Sequence, residues 1–239
     1  MYRNLIPEKT IKTIRVLRCR IEERFPGSSL SKVCAELLSV ANETRSRVER
    51  IREPNIALRV VVGLVVLSSV SALIYSLSVM NLSFKSLDAS GLVQLSDAAL
   101  NNIVLIGAAI FFMISFETRI KRNGALAALH ELRTLAHVID MHQLTKDPGR
   151  ISQQVQFTPS SPKLTMTAYE LTRYLDYCSE MLSLTGKVAT LYAQDFRDAV
   201  VLSSVNELEN LTTGLSRKIW QKIMILHKLD SSVCSEEME

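Results

Sequence analysis

The chain has 239 residues, of which 47% are hydrophobic, 22% charged and only 6% aromatic, with a formal net charge of +4. A mean hydropathy of +0.15 is high for a soluble domain and excludes disorder over the bulk of the chain, since disorder needs low hydrophobicity and high net charge. Cys19, Cys34, Cys178 and Cys234 are scattered, which excludes a disulfide-stapled scaffold, and 8 Gly and 6 Pro are too few for a turn-rich β protein. An all-α protein with its apolar excess concentrated somewhere is what remains.

At the N-terminus, MYRNLIPEKT lacks the apolar core of a cleaved signal. Ile11, Ile14, Leu17 and Ile21 then fall at helical spacing, with Lys12, Arg15, Arg18 and Arg20 on the other faces. Phe25-Pro26-Gly27-Ser28-Ser29 breaks this helix. A second helix carries Val33, Leu37, Ala41, Thr44, Val48 and Ile51 along one stripe, and Pro54 marks a bend after it. The first helix is basic and amphipathic, which suits a membrane surface, a partner helix or an anionic ligand as well as a plain solvated face.

No charged residue occurs in the 25 positions from Val60 to Phe84, nor in the 19 from Ala98 to Phe116. About 20 apolar residues in a helix cross a bilayer core, so the two runs predict a transmembrane hairpin connected by Lys85 to Asp97. Residues 1–59 carry 13 Lys/Arg against 7 Asp/Glu, whereas the connecting loop has a net charge of −1. The positive-inside rule therefore predicts cytoplasmic termini in an inner-membrane protein. Reduced thiols are expected there. Ser68, Ala72 and Ser76 form a small-residue stripe on the first span, and Asn101, Ala108 and Ser115 a weakly polar face on the second. Such faces suit close helix packing. In an oligomer they also suit the lining of an aqueous path. Two helices cannot enclose a pore, so conduction requires a homo-oligomeric ring.

Beyond the second span, Leu126, Leu129, Ala136 and Ile139 extend a helical stripe, with a kink expected at Asn123-Gly124. His130, Arg133, His137 and Asp140 share one face of it. They read as a polar seam between packed helices or as a gate near the membrane exit. A single metal ion is excluded for the two histidines alone, because i,i+7 imidazoles lie about 10 Å apart along a helix. The Arg133/His137 pair loosely resembles the pair in HEPN ribonucleases, but at a shorter spacing than that family uses. A polar connector spans residues 149–163. Thr167-Ala168-Tyr169-Glu170 is a capping box. It opens a helix striped by Leu171, Leu175, Cys178, Leu182 and Val188. After a break at residues 194–198, a last helix carries Val201, Val205, Leu208, Leu215, Ile219, Ile223 and Leu226. Arg217, Lys218 and Lys222 surround Trp220 on that helix. They read first as a cationic last turn with Trp220 packed in the bundle, and second as a phosphate- and base-binding strip.

The resulting plan has basic N-terminal helices over residues 1–56, a hairpin over 57–117, a cytosolic helical bundle over 118–230 and a disordered acidic tail over 231–239. No Gly-rich phosphate loop, G-x-S-x-G or H-E-x-x-H occurs. Glu22-Glu23 and Glu236-Glu237 are adjacent and diverge, so no catalytic residue, cofactor or metal is expected.

The stretch LHELRTLAHVIDMHQLTKDP, ending at Pro148, resembles a segment of bacterial membrane proteins. The whole plan is similar to the membrane effectors of bacterial anti-phage systems, in particular the effector partnered with a nucleotidyltransferase in Hailong defence. The resemblance implies a channel, a tetramer or larger ring, controlled by a nucleotide or single-stranded DNA ligand that its partner makes. By charge, Lys12, Arg15 and Arg18 are then the first candidates for phosphate contact, with Arg217, Lys218 and Lys222 next. A membrane-anchored scaffold that docks a partner is the alternative.

Overall fold

The computed structural model describes residues 4–79, 89–150, 159 and 165–236. Among these residues the elements are α1 (Pro7–Arg24), α2 (Ser29–Arg52), α3 (Ile56–Val79), α4 (Ala89–Leu144), a 3-10 turn at Pro148–Arg150, α5 (Ala168–Asp195) and α6 (Ala199–Glu236), with no strand. They form two compact units. One comprises Met1–Arg52 with Gly124–Glu239, and the other is Glu53–Asn123.

The first unit is a helical bundle. Pro7 opens α1, where its missing amide hydrogen costs nothing. Ile11, Ile14, Leu17 and Ile21 are all buried, as their spacing predicts. Gly27 turns the chain in the left-handed region at φ +68. The Glu22 carboxylate clasps this turn, accepting from the Gly27 amide at 3.1 Å and from the Ser31 hydroxyl. These bonds hold its pKa below the ordinary carboxylate value, with the Ser31 contact first. Ser28 Oγ accepts from the Ser31 amide at 3.2 Å and caps α2.

The helices α5 and α6 follow the same logic. Thr167 and Glu170 form the reciprocal capping box. Asp198 caps α6, accepting from the amides of Val200 and Val201 at 3.0 and 3.2 Å. Every stripe residue predicted for these two helices is buried. Gly186 permits close approach, since a Cβ there would lie 3.3 Å from Thr212 Oγ1. The helix α5 packs on α1, α2 and α6. The stretch of α4 from Gly124 onward completes the core through Ala125, Ala128, Leu132, Ala136 and Ile139. Burial raises the thiols of Cys34 and Cys178 to about 12, so both stay protonated in this core.

In the second unit α3 pairs with the first part of α4. Its inward positions on α3 are Leu58, Val62, Val66 and Ser69; on α4 they are Asn102, Ile106, Ala109 and Met113. The outer faces are apolar and bare: Leu64, Leu67 and Ile74, like Ile103, Phe111 and Phe112, are more than half exposed. Two helices are long and apolar enough to cross a membrane, and none of either apolar window is buried. At 24 residues, α3 is about 36 Å long, against about 30 Å of hydrocarbon. Fully burying one such side chain contributes about 1.5–3 kcal/mol. The fold gains none of that for the outer faces in water; an apolar surrounding supplies it.

Several expectations are corrected. The helix α4 begins at Ala89, so the part of the expected loop from Ala89 to Asp97 is helical; the remainder, and the end of the first run from Met80 to Phe84, lies outside the described residues. The helix runs on through Asn123-Gly124, as the stripe beyond the second span predicts. An isolated glycine costs a helix only about 1 kcal/mol, and the boundary between the units falls there. The expected disordered tail is helical from Ser231 to Glu236, because α6 runs on that far; residues 237–239, and most of the connector after Arg150, lie outside the described residues.

Substituting Leu182, fully buried in α5, by Ala is expected to lower unfolding stability by about 2–5 kcal/mol. Asp198→Ala is expected to cost about 1 kcal/mol through the lost cap. Urea unfolding of detergent-solubilised protein checks both, and equal costs would contradict this assignment of core and cap.

Candidate functional site

The base of the apolar hairpin is set by Glu117. Its side chain is 13% exposed and pairs with Lys121 at 2.8 Å and with Arg59 at 3.9 Å. It also accepts from the Asn55 amide at 3.2 Å, while Asn55 Oδ1 caps α3 by accepting from Leu58 at 3.2 Å. One carboxylate thus joins the entry of α3 to α4.

Further along, Ser69 donates its hydroxyl to Asn102 Oδ1, and Asn102 Nδ2 donates to the Ser69 carbonyl at 3.4 Å. This reciprocal pair faces inward. The residues singled out from sequence do not make this contact. Ser68 and Ala72 on α3, and Asn101, Ala108 and Ser115 on α4, are exposed, and the Ser68 hydroxyl donates to the Val65 carbonyl of its own helix at 2.9 Å. The side chain of Ser76 lies outside the described residues. Ser68, Ala72, Asn101, Ala108 and Ser115 therefore do not pack the two spans together; they lie on the outside of the hairpin.

In the bundle, Lys12, Arg15 and Arg18 are exposed on α1, and no ion pair is found for them among the described residues. Sequence spacing made His130, Arg133, His137 and Asp140 a shared face, but that face is not a buried seam. His130 and His137 are exposed. Arg133 reaches Glu207 on α6 at 2.7 Å, and Asp140 accepts from Gln143 at 2.6 Å. No cluster of three or more His, Cys, Asp or Glu that could hold a metal ion is found among the described residues.

The basic strip on α6 is also reassigned. Arg217, Lys218 and Lys222 are mid-helix rather than in a last turn, because α6 continues to Glu236. Trp220 is 61% exposed instead of packed in the core. Arg217 and Lys218 are exposed, but Lys222 is committed: its Nζ donates to the Gln143 carbonyl at 2.7 Å near the end of α4. Desolvation lowers its pKa, opposed by Asp147 and Asp140.

A fourth grouping was missed by sequence. Tyr177 of α5 is the hub of three arginines. The guanidinium carbons of Arg20 and Arg173 lie 5.3 and 5.2 Å from its ring centroid. Arg24 and Arg173 have pKa values raised above the ordinary guanidinium value, first by the Tyr177 hydroxyl. Arg24 also stacks over Tyr169 at 5.3 Å, and Phe25 meets Tyr177 edge-on at 6.3 Å. Arg20 is steadied by Glu180 at 2.9 Å and Arg173 by Asp176 at 2.9 Å. The available signal was a pair of i,i+4 repeats, Arg20/Arg24 and Arg173/Tyr177, 153 residues apart on two helices that only the fold brings together.

No protein family, no curated protein and no solved structure matches this chain.

A double-mutant cycle on Ser69→Ala and Asn102→Ala is expected to give a coupling of about 0.6–1.7 kcal/mol, the range for hydrogen bonds between membrane helices. Unfolding in detergent measures it. A cycle without coupling would remove this pair as the link between α3 and α4.

Proposed function

We propose that the chain is a ligand-controlled, homo-oligomeric membrane channel acting as an effector of bacterial anti-phage defence, with the bundle in the cytosol and the hairpin in the inner membrane. The observation that carries this reading is the pair of apolar helices whose outer faces meet no protein, on a chain whose remaining helices form a well-packed bundle. Exposed small residues on the two helices support self-association. Ser68 and Ala72 allow close backbone approach, and Asn101 and Ser115 suit a water-facing position in a ring. Subunits in a ring enclose what two helices cannot.

The exposed Lys12, Arg15 and Arg18 favour an anionic ligand. Such a ligand shifts the channel between states only if it binds them unequally. His130, Arg133, His137 and Asp140, on the α4 segment that follows the apolar run, are the gate residues of this reading. The defence setting, and a nucleotidyltransferase partner supplying a nucleotide or single-stranded DNA, rest on the similarity of overall plan to the Hailong effector.

A non-conducting scaffold is the second reading, favoured by the same exposed basic residues Lys12, Arg15 and Arg18 of α1, which also suit anionic lipid. Its membrane anchor would hold the bundle for a cytosolic partner. The mass of the detergent-solubilised protein separates the two: a tetramer or larger supports the channel, and a monomer or dimer supports the scaffold. Proteoliposomes are expected to release potassium when a nucleotide or single-stranded DNA oligomer is added. Absence of flux with every such ligand, together with normal growth of phage-challenged cells expressing the protein, would overturn the channel.

A further inference from the structure

The three arginines around Tyr177 open onto one concave cavity of about 360 Å³, lined by Arg20, Glu23, Arg24, Arg173 and Tyr177. Pockets for small ligands begin at about 300 Å³, so the space accommodates a compact anion. Three guanidiniums and one carboxylate line it. Glu180 and Asp176, which steady Arg20 and Arg173, are not among the lining residues. A guanidinium has five N–H donors and one carboxylate occupies at most two, so both arginines keep donors to spare. Arg24 is exposed, and no ion pair is found for it among the described residues. Packing alone needs no such convergence of three planar cations on one tyrosine, whereas a phosphate group fits their forked donors.

We propose that the cavity formed by Arg20, Arg24 and Arg173 around Tyr177 is the binding site for a soluble diphosphate-bearing anion. The assignment deepens the ligand-controlled reading and rests on it for its regulatory consequence. It also moves the ligand from the open face of Lys12, Arg15 and Arg18 to a concave site between α1 and α5. Both helices contribute guanidiniums, so a bound anion ties the N-terminal helix to the bundle. Glu23 is the one lining side chain that opposes an anion.

Titration calorimetry of the full chain in an uncharged detergent, with sodium pyrophosphate as the probe, tests the site. Saturable binding is expected, weakened about tenfold to a hundredfold by Arg24→Gln. Arg173→Lys, which keeps the charge and removes the fork, is expected to weaken it as well, and Glu23→Gln to tighten it. The triple change Lys12→Gln, Arg15→Gln and Arg18→Gln leaves it nearly unaltered. Unchanged thermal unfolding of Arg24→Gln shows that the loss is not misfolding. No saturable heat up to millimolar pyrophosphate overturns the proposal, as does binding lost in the triple variant but kept in Arg24→Gln. Displacement of pyrophosphate by phosphatidylglycerol nanodiscs would overturn the assignment to a soluble ligand. Flux is read separately in proteoliposomes: binding without flux upholds the site and removes pyrophosphate as a ligand that gates the channel.

Discussion

The structure depends on a constraint that water imposes on α4. This helix of 56 residues has two surroundings along one backbone. In its first part the outward side chains, Ile103, Phe111 and Phe112 among them, are apolar and exposed; from Ala125 it presents a narrow stripe of alanine, leucine and isoleucine to a protein core. An unbroken ladder of backbone hydrogen bonds needs no partner, which is why a helix can run through an apolar medium and continue as an ordinary core element. The apolar half is satisfied only outside water. The striped half is satisfied in the protein core that it shares with residues of α1, α2, α5 and α6.

Polar contacts are placed where each half needs them. In the apolar unit, Glu117 gathers Lys121, Arg59 and the Asn55 amide at one end, and Ser69 pairs with Asn102 farther along. In the bundle several polar groups sit at turns and helix ends, while Arg133 and Glu207 link α4 to α6 in mid-helix. Glu22 closes the α1–α2 turn, Thr167 and Glu170 cap α5, and Asp198 caps α6. The arginines around Tyr177 stand apart from this pattern, since they close no turn and cap no helix.

Much of the fold was legible in the sequence because period 3.6 is written plainly there. The stripes of α1, α5 and α6 are buried residue for residue, and the breaks at Phe25–Ser29 and near Asp198 fall where expected. Boundaries were less legible. Uncharged runs report the medium around a helix and not its backbone, so α4 extends well past its apolar segment at both ends. The site was the least legible part. Trp220 and its basic neighbours read as a helix end because the apolar stripe stops at Leu226, whereas α6 runs on to Glu236. The Arg–Tyr grouping joins residues from α1 and α5 through tertiary packing alone, and no local pattern announces that. Ser69 was likewise invisible beside Ser68: a one-residue step is about 100° around a helix, and only the partner helix shows which serine faces inward.

The central claim is that the two apolar helices cross a bilayer, with the basic N-terminal helices and the bundle together on one side. Membrane-impermeant maleimide labelling of single cysteines in intact and permeabilised cells tests it most directly, using a background in which Cys19, Cys34, Cys178 and Cys234 are replaced by Ser. The account predicts that Ser86→Cys, between the two apolar runs, is labelled in intact cells. It predicts that Arg18→Cys and Arg217→Cys are labelled only after permeabilisation. Labelling of all three without permeabilisation, or release of the protein from membranes by alkaline carbonate, would contradict it.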